Sequence, residues 1–166
     1  MNIIGNKKQK ISTILNTLLI YINKLGSYHF YIIIALLFLV AKEYLIVQIL
    51  TIGIIVLYVF IIPLRLLFFH KRPIPIKYHN IIQKIDASSF PSGHTARTVY
   101  LFLVFLYFVK QQYLWITWVF ISIGIVYSRV YFKKHYIQDV VIGTLVALIS
   151  FILIMFLMNY LLLFFN

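Results

Sequence analysis

The 166-residue sequence contains no cysteine, which excludes disulfides, thiolate metal sites and cysteine nucleophiles. Acidic residues are almost as scarce, because Glu43, Asp86 and Asp139 are the only three. Hard divalent cations require several oxygen ligands, and three carboxylates spread this widely hardly converge, so no metal site and no cofactor is predicted. Charge of either sign makes up only 11% of residues, against 63% hydrophobic ones. No soluble domain of this length can hide so much apolar surface in a single core. Its solvent must be lipid, and at about 20 apolar residues per passage the chain can supply five or six bilayer-spanning helices. That leaves no room for a separate soluble domain, and residues 1–166 read as one membrane-embedded unit.

The charge that is present is one-sided, with 15 lysines and arginines and a formal net charge of +12. Basic membrane proteins face anionic head groups. The basic residues are scattered through the loops between apolar runs and form no continuous patch, which argues against nucleic acid as a partner.

After a basic start, Ile11, Ile14, Leu15, Leu18, Leu19 and Ile22 recur at helical spacing opposite Ser12, Thr13, Asn16 and Thr17. This pattern fits either an interfacial amphipathic helix or a weak first span. No small-residue cleavage site follows it, which argues against a cleaved leader. Apolar runs then cover 28–41, 44–69, 95–109, 113–127 and 140–165, separated by Lys42-Glu43, a polar loop over 70–89, Lys110-Gln111-Gln112 and a last basic segment. The predicted fold is therefore all-α, a polytopic membrane bundle of about six helices.

Ionisable side chains at the ends of membrane helices are costly to bury and mark functional sites by default. Alternating the spans brings Arg65, Arg72, Ser92, His94, Arg97, Arg129, His135 and Asp139 to one membrane face, and Lys42, Glu43 and Lys110 to the other. Arg65 and Arg72 are two helical turns apart, and Pro73 disfavours helix at Arg72, freeing it to swing into the loop. The pair either snorkels to head groups or directs two guanidinium forks, well matched to phosphate oxygens, into one pocket. Pro91 reads as an early-helix residue, with Ser92 and Gly93 in the first turn. Free N–H groups at a helix start attract anions, and Gly93 permits close approach. His135 and Asp139 are four apart, so the carboxylate can hold one imidazole nitrogen protonated and leave the other as nucleophile or base. A simple polar contact closing the bundle is the competing reading.

Taken in order, "RLLFFHKRP" (65–73), "PSGH" (91–94) and "SRVYFKKHYIQD" (128–139) resemble the signature of the type 2 phosphatidic acid phosphatase family, membrane lipid phosphatases with blocks K-x6-R-P, P-S-G-H and S-R-x5-H-x3-D. The motif-bearing core spans 63–145. Arg65 stands where the family usually has Lys, and the two are not interchangeable at a phosphate.

The resemblance implies His135 as the nucleophile that becomes phosphohistidine, with Asp139 orienting it. It implies His94 as the acid that protonates the leaving oxygen and later activates water, and Arg65, Arg72, Ser92, Gly93 and Arg129 as phosphate-binding residues. Phosphoryl transfer needs charge stabilisation on the equatorial oxygens, which three arginines and a helix start can provide without a metal. "SFPSGHTAR" resembles the polyisoprenoid diphosphate phosphatase branch, making Arg97 a candidate second-phosphate contact. The implied partner is a membrane lipid, either an isoprenoid diphosphate or a phosphatidic-acid-like lipid. A non-catalytic lipid-phosphate binder or transporter, or a lipid phosphotransferase, is the alternative. The same resemblance places the chain in the cell membrane with an extracytoplasmic site and, for six passages, both termini inside; a surface-lying first helix moves the amino terminus to the site face.

Overall fold

A computed structural model describes the backbone of residues 3–165 and the side chains of residues 9–160. Seven helices follow one another among the described residues: α1 (Ile3–Lys24), α2 (Tyr28–Val40), α3 (Tyr44–Leu67), α4 (Ile81–Ala87), α5 (Gly93–Phe108), α6 (Gln112–Tyr131) and α7 (Ile137–Phe165). Six are long and match the predicted bundle. The short α4 lies in the polar loop, where Asn80 caps it by accepting from the Gln83 N–H at 2.8 Å.

Helices α3, α6 and α7 are each long and apolar enough to cross a membrane, and α1 with α2 qualifies as one span bent by 54°. Helix α5 has only 16 residues, about 24 Å. It occupies the middle of the bundle, packed on α3, α6 and α7, and one face of it is buried through Ala96, Tyr100, Leu101 and Val104. Tyr100 packs so closely on Gly53 of α3 that a methyl group there would overlap its ring. The Tyr100 hydroxyl donates to the Ile49 carbonyl at 2.9 Å, and Tyr31 of α2 donates to the Leu50 carbonyl at 2.8 Å. Both buried phenols thus find acceptors on α3, as an apolar interior requires.

The first helix packs along α6. Asn16 of α1 accepts a hydrogen bond from Tyr131 at the end of α6, while Ile22 packs beside Gly124, two turns further back along α6. Helix α1 therefore runs antiparallel to α6, starts on the site face, and hands over to α2 at an elbow around Gly26.

The start of α5 is fixed against α7. The Ser92 N–H donates to the Asp139 carbonyl at 2.9 Å, and a Cβ on Gly143 would stand 2.7 Å from the Ser92 carbonyl oxygen. Only glycine lets the two backbones approach this closely. Gly143→Ala should therefore destabilise the protein by about 1–3 kcal/mol, the usual cost of overpacking, and displace the Ser92–Gly93 turn. Thermal unfolding of the detergent-solubilised variant checks this; an unchanged midpoint would show that the contact relaxes freely.

Candidate active site

The site forms where the three sequence blocks meet on one face. Helix α6 ends at Tyr131, and just beyond it Lys133 adopts the left-handed region with φ 52°. The chain then folds back so that the N–H groups of Lys134 and His135 both reach the Arg129 carbonyl, at 3.0 and 3.2 Å. This turn drives His135 into the protein, where it is 2% exposed. Its Nδ1 lies 2.7 Å from the Ser89 carbonyl. A carbonyl can only accept, so Nδ1 carries the ring proton and Nε2 keeps its lone pair. Arg129 Nη2 stands 3.3 Å from that Nε2.

Asp139 does not hold the ring in the way the four-residue spacing suggests. Its Oδ2 is 3.8 Å from His135 Nδ1, too far for a hydrogen bond. That oxygen accepts instead from the Tyr136 N–H at 2.8 Å, while Oδ1 pairs with His70 Nδ1 at 3.3 Å. The reason lies in the backbone: His135 precedes α7, whose first turn begins at Ile137, so the two residues do not share a regular helix face. Asp139 supplies a buried negative charge beside the imidazole, and Ser89 fixes its tautomer.

Ser92 also departs from expectation. It is the N-cap of α5, ahead of the first turn, and its hydroxyl accepts from the Thr95 N–H and hydroxyl at 3.4 and 3.0 Å. It is fully buried and does not line the cavity. Gly93 does line it, with its α-carbon turned toward Arg65 and Arg97.

The cavity has a volume of about 420 Å³ and brings together Arg65, Arg72, Gly93, His94, Arg97, Arg129 and His135. Arg65 spans two backbone segments, donating to the Ile85 and Pro91 carbonyls at 3.2 Å each. A planar fork can do this where a single ammonium reaches less. Arg72 donates to the Asp86 carbonyl at 2.6 Å. Around them stand residues the motifs did not single out. Asn23, at the end of α1, accepts from Arg129 Nη1 at 2.9 Å. Tyr28 and Tyr58 line the same wall, and His70 stacks on Tyr136 with ring centroids 5.0 Å apart. Of these only His70 carried a signal, as a polar residue at the end of a long apolar run.

The match to known proteins agrees with this geometry. Residues 46–162 match the family model described as the PAP2 superfamily. The chain belongs to the PAP2 superfamily. It is thus a membrane-embedded lipid phosphatase. Among solved structures, Aquifex aeolicus LpxE is similar, with a TM-score of 0.71 and 24% identity, covering 86% of each chain. No curated protein matches the sequence.

Burial first, then the positive charges of Arg129 and Arg72, push His135 down from 6.5 to about 3, against the pull of its Ser89 hydrogen bond. The unfolded chain, with His135 near 6.5, binds its proton first as pH falls. Stability from this residue is whole above about pH 6.5 and declines as pH drops toward 3. Thermal unfolding in detergent should show a midpoint that falls on acidification, with a shallower slope in His135→Gln; equal slopes would reject the assignment.

Proposed function

We propose that the protein releases phosphate from a lipid phosphate in two displacements through a phosphohistidine at His135, without a metal. The observation that carries this reading is the His135 ring, held with its Nε2 lone pair at a cavity ringed by arginines and lined by a second histidine, His94. In the first displacement Nε2 attacks phosphorus as the lipid oxygen leaves with a proton from His94. In the second, water attacks the phosphohistidine and returns a proton to His94. Arg65, Arg72, Arg129 and the Gly93 N–H face the phosphoryl oxygens, Ser92 holds the helix start, and Asp139 offsets the charge that His135 gains.

The charge balance supports a highly anionic head group. Six basic residues line the cavity against one acid, Asp86. The buried Nε–H groups of Arg65, Arg72 and Arg129 lack hydrogen-bond partners among the described residues, a costly state that phosphate oxygens would relieve. An isoprenoid diphosphate meets this excess better than a monophosphate. An apolar groove of about 370 Å³ between α2 and α3 shares Tyr28 with the cavity, which suits a ligand with a charged head and a hydrocarbon tail. By the same reading the site faces outward from the cell membrane.

Purified protein in detergent with EDTA should release phosphate from farnesyl or longer polyprenyl diphosphate faster than from phosphatidic acid. His135→Ala should lower that rate by about 10³-fold or more, and acid-labile phosphate should be trapped on the wild type alone. Faster release from phosphatidic acid would reverse the substrate choice. No release from a folded sample would move the reading to a lipid-phosphate binder.

A further inference from the structure

Arg97 is the cation that the phosphate-binding set does not need. It is only 2% exposed, and its guanidinium joins three elements of the fold. Its Cζ lies 3.7 Å from the centre of the Tyr28 ring, at the start of α2. Nη1 donates to the Tyr58 hydroxyl of α3, which is in turn bonded to the Tyr28 hydroxyl. Nη2 donates to the Gly26 carbonyl in the elbow at 3.2 Å and stands 3.3 Å from His94 Nδ1. Of the five N–H groups of an arginine, three are therefore committed to protein atoms.

The contact with His94 has a chemical consequence. A guanidinium donates and never accepts, so His94 Nδ1 must offer a lone pair. The proton of the neutral ring then resides on Nε2, the nitrogen left free for a ligand in the cavity that His94 lines. A neutral imidazole at a helix N-terminus is a known kind of hydrogen-bond donor to developing negative charge, and His94 is the second residue of α5. The elbow adds steric control, because a Cβ on Gly26 would come within 3.4 Å of His94 Cδ2.

We propose that Arg97 is a positioning residue that holds His94 as an Nε2–H donor to the leaving oxygen, in place of a contact to a second phosphate. This rests on the phosphohistidine reading above. As the P–O bond breaks and phosphorus bonds to His135 Nε2, the Nε2 proton of His94 passes to the leaving oxygen, and the Arg97 charge offsets the negative charge left on the ring. The hydrolytic water gives that proton back in the second displacement, so the enzyme returns to its starting state.

The two roles for Arg97 predict opposite substrate effects. An alkyl monophosphate leaves as an alkoxide and needs the proton, whereas p-nitrophenolate and the monophosphate expelled from a diphosphate leave readily without it. Arg97→Gln and Arg97→Lys should therefore slow an alkyl monophosphate by about tenfold or more beyond their effect on p-nitrophenyl phosphate and farnesyl diphosphate. Tyr58→Phe, which keeps the ring and removes only the anchoring hydroxyl, should shift the ratio the same way to a smaller extent. A loss concentrated on the diphosphate would assign Arg97 to the second phosphate and overturn the proposal, and so would an equal loss on all three substrates.

A readout independent of turnover completes the test. Ring ¹⁵N resonances of His94, identified by their loss in His94→Asn, should report a proton on Nε2 in the wild type and a mixture of tautomers in Arg97→Gln. A proton on Nδ1 in the wild type would overturn the proposal whatever the kinetics. Because this measurement needs no substrate, an inactive wild type with the expected tautomer would count against the phosphatase reading alone.

Discussion

The site depends on the hydrogen bond between His135 Nδ1 and the Ser89 carbonyl, 2.7 Å long and buried. It gives the ring one tautomer and one orientation, with the Nε2 lone pair turned to the cavity beside Arg129 Nη2. Ser89 can make this bond because its own N–H is held by the His70 carbonyl at 2.8 Å, beside the Lys71–Ser88 bridge that closes the polar loop on itself. The His70 side chain then reaches Asp139, and the Asp139 carbonyl accepts from Ser92 at 2.9 Å. One residue from each block thus constrains the other two. The blocks are far apart in sequence, and this small network turns them into one rigid site.

Electrostatics set the second constraint. Arg65, Arg97 and Arg129 are buried, and Arg72 approaches them from the loop. Like charges this close repel strongly where water is sparse. The fold offsets the cost with carbonyl and amide acceptors, those of Ile85, Pro91, Asp86, Gly26 and Asn23. Such neutral partners orient the guanidinium groups without cancelling their charge. Carboxylates in the same places would have neutralised the field that an anionic substrate must meet, which gives the scarcity of acids in the sequence a physical reason.

Much of this was legible in the sequence because its strongest signals are local. Apolar runs punctuated by single charges mark helices and their ends, and alternation alone brings the eight named residues to one face. Spacing was less reliable at element boundaries. Ser92 reads as a first-turn residue yet caps the helix, and Asp139 is four residues from His135 but separated from it by the start of α7. The contributions of Asn23, Tyr28 and Tyr58 were invisible, because an asparagine near a basic turn and tyrosines in apolar helices look the same whether they face lipid or a guanidinium. The elbow that delivers Asn23 and Tyr28 arises from long-range packing of α1 on α6, which no local pattern encodes.

The two histidines of the cavity differ in what their side chains meet, and the proposed mechanism gives them opposite duties. Their reference chemistry is identical, so the difference must come from what each Nδ1 meets. At His135 it meets a carbonyl, which takes the proton and leaves Nε2 as a lone pair. At His94 it meets the Arg97 guanidinium, which takes the lone pair and leaves Nε2 as an N–H. On the proposed mechanism, an acceptor on one ring and a donor on the other would serve a nucleophile and a proton source at the same pH. Phosphoryl transfer between a lipid oxygen and an imidazole needs both at once. Neither assignment requires the rings to be in different charge states, so the pair can stay neutral among four arginines, where an imidazolium would be hard to keep.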